Sequence, residues 1–309
     1  MNFIFKIKQT VVTAIFLLLF LPGVFGDQSV SNNPSFQRII SLAPSTTEIL
    51  FALGLGDRIV GVTCYCDYPP AAQKIEKIGG YVDPSYEAIV ALKPDLVVLL
   101  TSHRDIKVQL EKMKIRTLTV PHKSIGDIHE AIRLIGEATG KSGEAQTLIN
   151  DLNQRTQTVK KTIEKQPCSR VIVCIGRDMK SSQLSGMCMA GHDAFYNEII
   201  ELAGGTNVCN DLSVAYPLLS AEGVVQLNPD VIIDLIGKTD ENSTDKIKSQ
   251  WNQLSTISAV RNKQVFVIMG NHALRPGPRY IEFLEQMARL LHSNAFNKQE
   301  SDAKQHSDH

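Results

Sequence analysis

EAIVALKPDLVV, residues 87–98, returns 135 positions later as EGVVQLNPDVII, residues 222–233. In each copy a glutamate opens a short apolar helix pattern, Pro-Asp closes it, and a buried β-branched run follows at once. Proline ends a helix because it lacks the amide hydrogen and restricts the residue before it, which accounts for Pro94 and Pro229. It does not account for a glutamate in the same place at the head of both helices. A helix leading into a continuous apolar strand is the unit of a parallel α/β sheet, and its recurrence divides the chain into two halves of one grammar.

The flanking sequence extends both halves. Arg38 to Leu42, Arg58 to Val62, Leu96 to Leu100 and Arg116 to Val120 read as strands of the first, with a helix starting at Pro44-Ser45-Thr46-Thr47-Glu48. Arg170 to Ile175, Val231 to Ile233 and Val265 to Ile268 are strands of the second, with helices over Phe195 to Leu202 and Arg279 to His292. Between them Ile125 to Lys165 is helical in pattern, interrupted at Gly140-Lys141-Ser142-Gly143. A single helix from Ser142 to Lys165 would extend roughly 36 Å, long enough to brace two lobes. A flexible linker would be rich in Gly, Ser or Pro instead.

At 309 residues, 43% hydrophobic and 21% charged, the composition is globular and the length suits two domains. Residues 1–26 depart from it: Lys6 and Lys8, an apolar run from Val11 to Leu21, then Pro22 and small residues. The run is shorter than the ~20 residues that span a bilayer, so the segment reads as a signal peptide removed after Gly26. Cleavage takes away two lysines and no acids, moving the formal charge from 0 to 0 − 2 = −2. No basic stripe points to nucleic acid or anionic lipid. With no cysteine directly after the apolar run, a soluble periplasmic monomer is expected. The divisions are therefore 1–26 signal peptide, 36–124 first lobe, 125–167 helical brace, 168–296 second lobe and 297–309 disordered tail.

Six cysteines do not amount to a disulfide framework in a chain of this size. Cys174 falls in an apolar run and reads as a core thiol, and Cys64 and Cys66 would share one face of a strand as a redox-sensitive or structural pair. A metal pair is disfavoured because no second cysteine pair has ligand spacing. Gly54-Leu55-Gly56 stops short of a phosphate-binding loop.

Three segments together are specific: RIISLAPSTTE at 38–48, GVTCYCDYPP at 61–70 and LKPD at 92–95. With GGTN at 204–207 and the 251–267 stretch, they resemble the substrate-binding proteins that serve ABC importers of vitamin B12, haem and ferric siderophores. The resemblance covers Arg38 to His292 and is closest to the vitamin B12-binding branch. It implies two Rossmann-like lobes with mainly parallel sheets, joined by a long rigid helix, with the ligand in the cleft between them. It implies a permease and its ATPase as partners, and no catalysis.

The same resemblance assigns residues. Glu87 and Glu222 fall where one glutamate per lobe docks on permease arginines, against the plainer reading of an acid complementing a helix N-terminus. Tyr65 falls where the branch contacts a corrinoid, while Tyr81 and Tyr216 fall where it places tryptophans. Asn271, His272 and Arg275 fall on the second lobe's ligand loop. Flat aromatic walls with a few fixed donors suit the broad face and polar rim of a metal chelate. Arg275 and Arg279 would meet rim groups. His272, where the branch has tryptophan, would serve as an axial metal ligand or as a hydrogen-bonding loop residue. The ligand expected is a cobalt corrinoid, with haem or a ferric siderophore as alternatives; no further cofactor is expected. From another class, a periplasmic metal chelatase would need metal-holding residues and a base converging on one point, and His272 has no evident partner. Trp251 reads as structural, the soft Met187-Cys188-Met189 cluster as core or, less favoured, as cleft lining, and His192 as a cap or a packed side chain.

Overall fold

In a computed structural model the described residues are 36–179, 181, 183–192, 194–237 and 243–298. The expected signal peptide and most of the expected tail lie outside them. The tail boundary differs, because residues 293–298 are helical.

The first lobe is a four-stranded parallel sheet of order β2-β1-β3-β4, from β1 (Ile39–Ser41), β2 (Ile59–Val62), β3 (Leu96–Leu100) and β4 (Thr117–Val120). Helices α1 (Pro44–Ala52), α2 (Tyr86–Ala91) and α3 (Arg104–Lys112) lie between its strands in sequence. Two helices follow, α4 (Ile125–Thr139) and α5 (Ser142–Ile163), and α5 runs 22 residues without a break, about 33 Å. Ser124 caps α4 by accepting the Asp127 amide at 2.9 Å, and Gly140 ends it in the left-handed conformation at φ 73°.

The second lobe is a six-stranded sheet. Its strands are β5 (Ser169–Gly176), β6 (Met187–Met189), β7 (Gly205–Asn207), β8 (Leu218–Leu219), β9 (Val231–Ile236) and β10 (Val265–Met269). Its helices are α6 (Ala194–Leu202), α7 (Ala221–Leu227), α8 (Ser243–Trp251), α9 (Ser258–Arg261) and α10 (Tyr280–Leu291). The path β10-β9-β5 and the β5·β7 pair are parallel, as the apolar runs require, but β6 and β8 add an antiparallel edge.

The repeat is a tertiary module. In each lobe the residue before the proline takes positive φ, Lys93 at 46° and Asn228 at 40°, and the aspartate after the proline accepts from the start of the lobe's first strand. Asp95 accepts the Gln37 and Arg38 amides at 2.7 and 3.0 Å, and Asp230 accepts the Arg170 amide at 3.1 Å. The strand's arginine closes the loop. Arg38 donates to the Leu92 and Lys93 carbonyls, and Arg170 donates to those of Leu227 and Asn228, covering helix-end acceptors that have no partner within the helix.

The brace binds the lobes with both apolar and polar contacts. One buried cluster runs from Ile39 and Val98 through Ile132 and Leu152 to Val173 and Ile233. Arg155 of α5 grips both oxygens of Glu285 on α10 at 2.9 and 2.8 Å, and Glu198 of α6 accepts the Ile125 amide at 2.7 Å. Trp251 is fully buried and donates to the Asp234 carboxylate at 2.8 Å, and Cys174, Met187 and Met189 are core, as expected. Cys64 and Cys66 do not share a strand face: they lie in a turn after β2, with Cys64 exposed and Cys66 buried as an acceptor for Thr47. His192 is exposed, 3.3 Å from the Asn210 carbonyl, and so is not packed.

Candidate functional site

Parallel α/β sheets present their ligand groups in loops beyond the carboxyl ends of the strands. In the first lobe those loops carry Tyr65, Asp67 and Tyr68 after β2, Ser102 and His103 after β3, and His122 after β4. In the second lobe the loop after β10, residues 270–279, returns toward the first lobe.

Its two central side chains meet Asp67. Asn271 donates to one carboxylate oxygen at 2.6 Å and Arg275 to the other at 2.5 Å, while the second Arg275 amine donates to the Tyr65 carbonyl at 2.8 Å. One turn on, Arg279 takes both oxygens of Glu48 at 2.9 and 2.6 Å and lies 3.8 Å over the Tyr68 ring. Arg275 is also 3.9 Å from Glu48. Burial pushes the Glu48 carboxyl above its ordinary value, against the opposing pull of Arg279 and Arg275. Four charges, two of each sign, thus close one side of the cleft.

Tyr65 stands in the same loop with 57% of its surface exposed, a flat ring offered to a ligand. Tyr81 is half-buried and held on two sides: its hydroxyl lies 3.1 Å from Ser102 Oγ, and its ring meets His103 edge-on at 4.5 Å. His103 is buried, with Nε2 unpartnered, and desolvation together with nearby His122 lowers its pKa to about 4, so the ring is neutral. Tyr216 is exposed just before β8, at the opposite edge of the six-stranded sheet from β10. His272 directs Nε2 at Gln286 on α10, 3.3 Å away. Among the described residues no cluster of three His, Cys, Asp or Glu side chains is disposed to hold a metal ion.

The docking candidates are matched. Glu87 and Glu222 are each the second residue of their helix, behind Ser85 and Ser220, whose hydroxyls accept from Ala88 and Gly223 at 3.2 and 3.3 Å. Both are exposed, and Val90 and Val225, three residues on, are exposed beside them.

A model of the family described as periplasmic binding protein matches residues 39–271, most of both lobes. The chain belongs to the periplasmic binding proteins. This binding protein is 30% identical over 280 residues to an uncharacterized ABC transporter substrate-binding lipoprotein of Bacillus subtilis, YvrC, covering 88% of this chain and 85% of that one. It is 30% identical over 258 residues to the vitamin B12-binding protein of Vibrio cholerae, covering 82% and 89%. The crystal structure of the periplasmic vitamin B12 binding protein BtuF of Vibrio cholerae matches its fold with a TM-score of 0.72 at 28% identity, over 84% of this chain and 98% of that one. The periplasmic heme-binding protein RhuT from Roseiflexus matches at 0.71 and 23% identity, which shows the shared fold. No described helix of the binding protein is long and apolar enough to cross a membrane.

Glu48, Asp67 and Tyr68 are site residues that the sequence did not single out, although Asp67 and Tyr68 lie inside the GVTCYCDYPP signature. A cavity of about 350 Å³ lies behind the Glu48 and Arg279 pair, between α1, α5 and α10. Its lining joins Leu148 and Leu152 of the brace and Ile281 of α10 to Tyr68, Pro69 and Pro278 of the two strand-end loops, so it adjoins the charged pairs at the edge of the candidate site.

Proposed function

We propose that this binding protein captures a corrinoid in the cleft between its lobes and hands it to an ABC permease and its ATPase, as a soluble periplasmic monomer without catalytic activity of its own. The observation that carries the reading is the exposed Tyr65 ring on the β2 loop, whose backbone carbonyl accepts from Arg275 of the second lobe's loop. A chelate with a broad face stacks on such a ring while rim amides reach fixed donors and acceptors. The similarity to vitamin B12-binding proteins over more than four-fifths of the chain supports the same ligand class. Tyr81, fixed by His103 and Ser102, supplies a second wall, and Tyr216 a more distant one. His272 would reach a metal through Nε2 only by releasing Gln286. Glu87 and Glu222, equivalent in the two lobes, suit a partner that presents cations twice.

Calorimetric titration with cyanocobalamin, haemin and a ferric siderophore tests the reading. Saturable heat with cyanocobalamin supports it. Binding of haemin alone would move the ligand to the haem class.

A further inference from the structure

We infer that Asp67 determines specificity: by pairing with Arg275 across the lobes it makes the cleft select a chelate with neutral amides at its rim over one with carboxylates. The inference rests on the reading that the cleft is the ligand site and deepens it to a substrate class.

The loop after β10 would, on its own, present a guanidinium and an amide to any anion. Here both groups are already engaged. Each Asp67 oxygen has its own donor, Asn271 and Arg275, and Arg275 also bonds the Tyr65 carbonyl. Glu48, the next acid along, is paired with Arg279 and sits 3.9 Å from Arg275. Summed over Glu48, Asp67, Arg275 and Arg279, the formal charge is −1 − 1 + 1 + 1 = 0. A rim carboxylate approaching this edge gains no uncompensated cation and meets two carboxylates.

A rim amide fares differently. It carries both donors and acceptors, whereas an ionised carboxylate only accepts. The edge is mixed in the same sense: Asp67 and the Tyr65 carbonyl accept, while Arg275 and Asn271 keep N–H groups beyond those used on Asp67. An amide can therefore donate to the acid and accept from the guanidinium without breaking the pair. A carboxylate can only accept, so it competes with Asp67 for Arg275 and sets a third negative charge beside Asp67 and Glu48 with no further cation to offset it. Arg275 keeps only 15% of its side-chain surface exposed and Asp67 24%, so water screens this edge incompletely.

The test compares ligands that differ only at the rim: cyanocobalamin with each of its monocarboxylate isomers, in which one rim amide is hydrolysed, and haem dimethyl ester with haemin. Dissociation constants are measured for wild type, Asp67→Asn and Arg275→Gln, with fold checked by thermal melting. For wild type the amide form should bind at least one isomer's worth more tightly, on the order of tenfold, the scale of one charge contact. Asp67→Asn frees Arg275 and should bring that ratio close to one or reverse it. Arg275→Gln removes the cation beside Asp67 while Asn271 still donates to it, and should widen it. A ratio that is the same in all three proteins overturns the inference even where cyanocobalamin binds. If wild type binds only the haem pair, the corrinoid reading fails, and the haemin-to-ester ratio in Asp67→Asn decides the inference alone. If Asp67→Asn loses every ligand, the Arg275→Gln ratio must still widen, and no binding of any of these ligands to wild type overturns both.

Discussion

Glu48 on α1 and Arg279 at the head of α10 are separated by 231 residues in sequence and joined across the lobes by two hydrogen bonds, at 2.9 and 2.6 Å. The guanidinium rests on the Tyr68 ring, so the pair is packed on one side and faces the Arg275 and Asp67 pair on the other. Removing one member of a buried pair costs more than removing both, because the survivor keeps its desolvation penalty. Glu48→Ala should destabilise the protein by about 3 kcal/mol, and Glu48→Leu with Arg279→Met should recover most of that. Urea melts of wild type, Glu48→Leu, Arg279→Met and the double variant measure the coupling, and additive costs in the double variant would show that the pair does not act as a unit.

The two glutamate helices make a second prediction. Each glutamate follows a serine cap at the start of a helix whose far end is tied down by the lobe's arginine, Arg38 or Arg170, so the carboxylates are held in equivalent positions. The Glu222 carboxyl is held below its ordinary value by its own backbone amide and the Ser220 hydroxyl. Glu87→Ala with Glu222→Ala should keep cyanocobalamin affinity within about twofold while cutting uptake by permease vesicles about tenfold or more, the scale of losing interfacial charge contacts. Weakened ligand binding in that variant would place the glutamates in the ligand site instead.

The parts of this structure that could be read from sequence are those set by local chemistry. Leu96 to Leu100 was legible to the residue because five consecutive buried apolar side chains have no other reading between Pro94 and the loop at Thr101. The brace helix was legible from its period and length. Strands β6 and β8, of three and two residues, carry no periodic signal; β6 forms on the edge of β5, and β8 on the edge of β6. The module shared by the lobes was visible as Glu and Pro-Asp, yet the arginines that complete it lie 54 and 57 residues from the carbonyls they cap. Within the site, Tyr65, Asn271 and Arg275 came from resemblance to a family. That Asp67 of the signature is the common partner of Asn271 and Arg275, more than 200 residues away, is set by tertiary structure alone.

His103 makes stability depend on pH. Its pKa, about 4 in the folded protein, lies below the ordinary histidine value of 6.5 because burial and His122 oppose the charged ring. The unfolded chain therefore takes up a proton first as pH falls, so the stabilisation is complete above about 6.5 and is lost progressively down to about 4. The loss from this ring should be about 3 kcal/mol. His103→Gln should flatten the dependence over that window and loosen the edge-on support of Tyr81, weakening cyanocobalamin binding at neutral pH. Parallel pH profiles for the two proteins would remove His103 as the cause.

The buried Arg177 and Asp234 pair offers a last test, in the core of the second lobe. Neither side chain is exposed; Arg177 Nε donates to Asp234 at 2.9 Å, Arg177 Nη1 to Gln250 at 2.8 Å, and Trp251 to Asp234 at 2.8 Å. Burial pushes the Asp234 carboxyl up, and these donors pull it back. Arg177→Met should cost about 3–5 kcal/mol by leaving the carboxylate unpaired, and Trp251→Phe about 2 kcal/mol through one lost charge-assisted bond. In Arg177→Met the carboxyl rises further, and a group raised in the folded state adds stability below its unfolded value that is lost as pH climbs through the folded one. The gap between wild type and Arg177→Met should therefore narrow as pH falls toward the carboxylate range. Urea melts at several pH values measure it, and a gap independent of pH would mean that Arg177 acts through packing rather than charge.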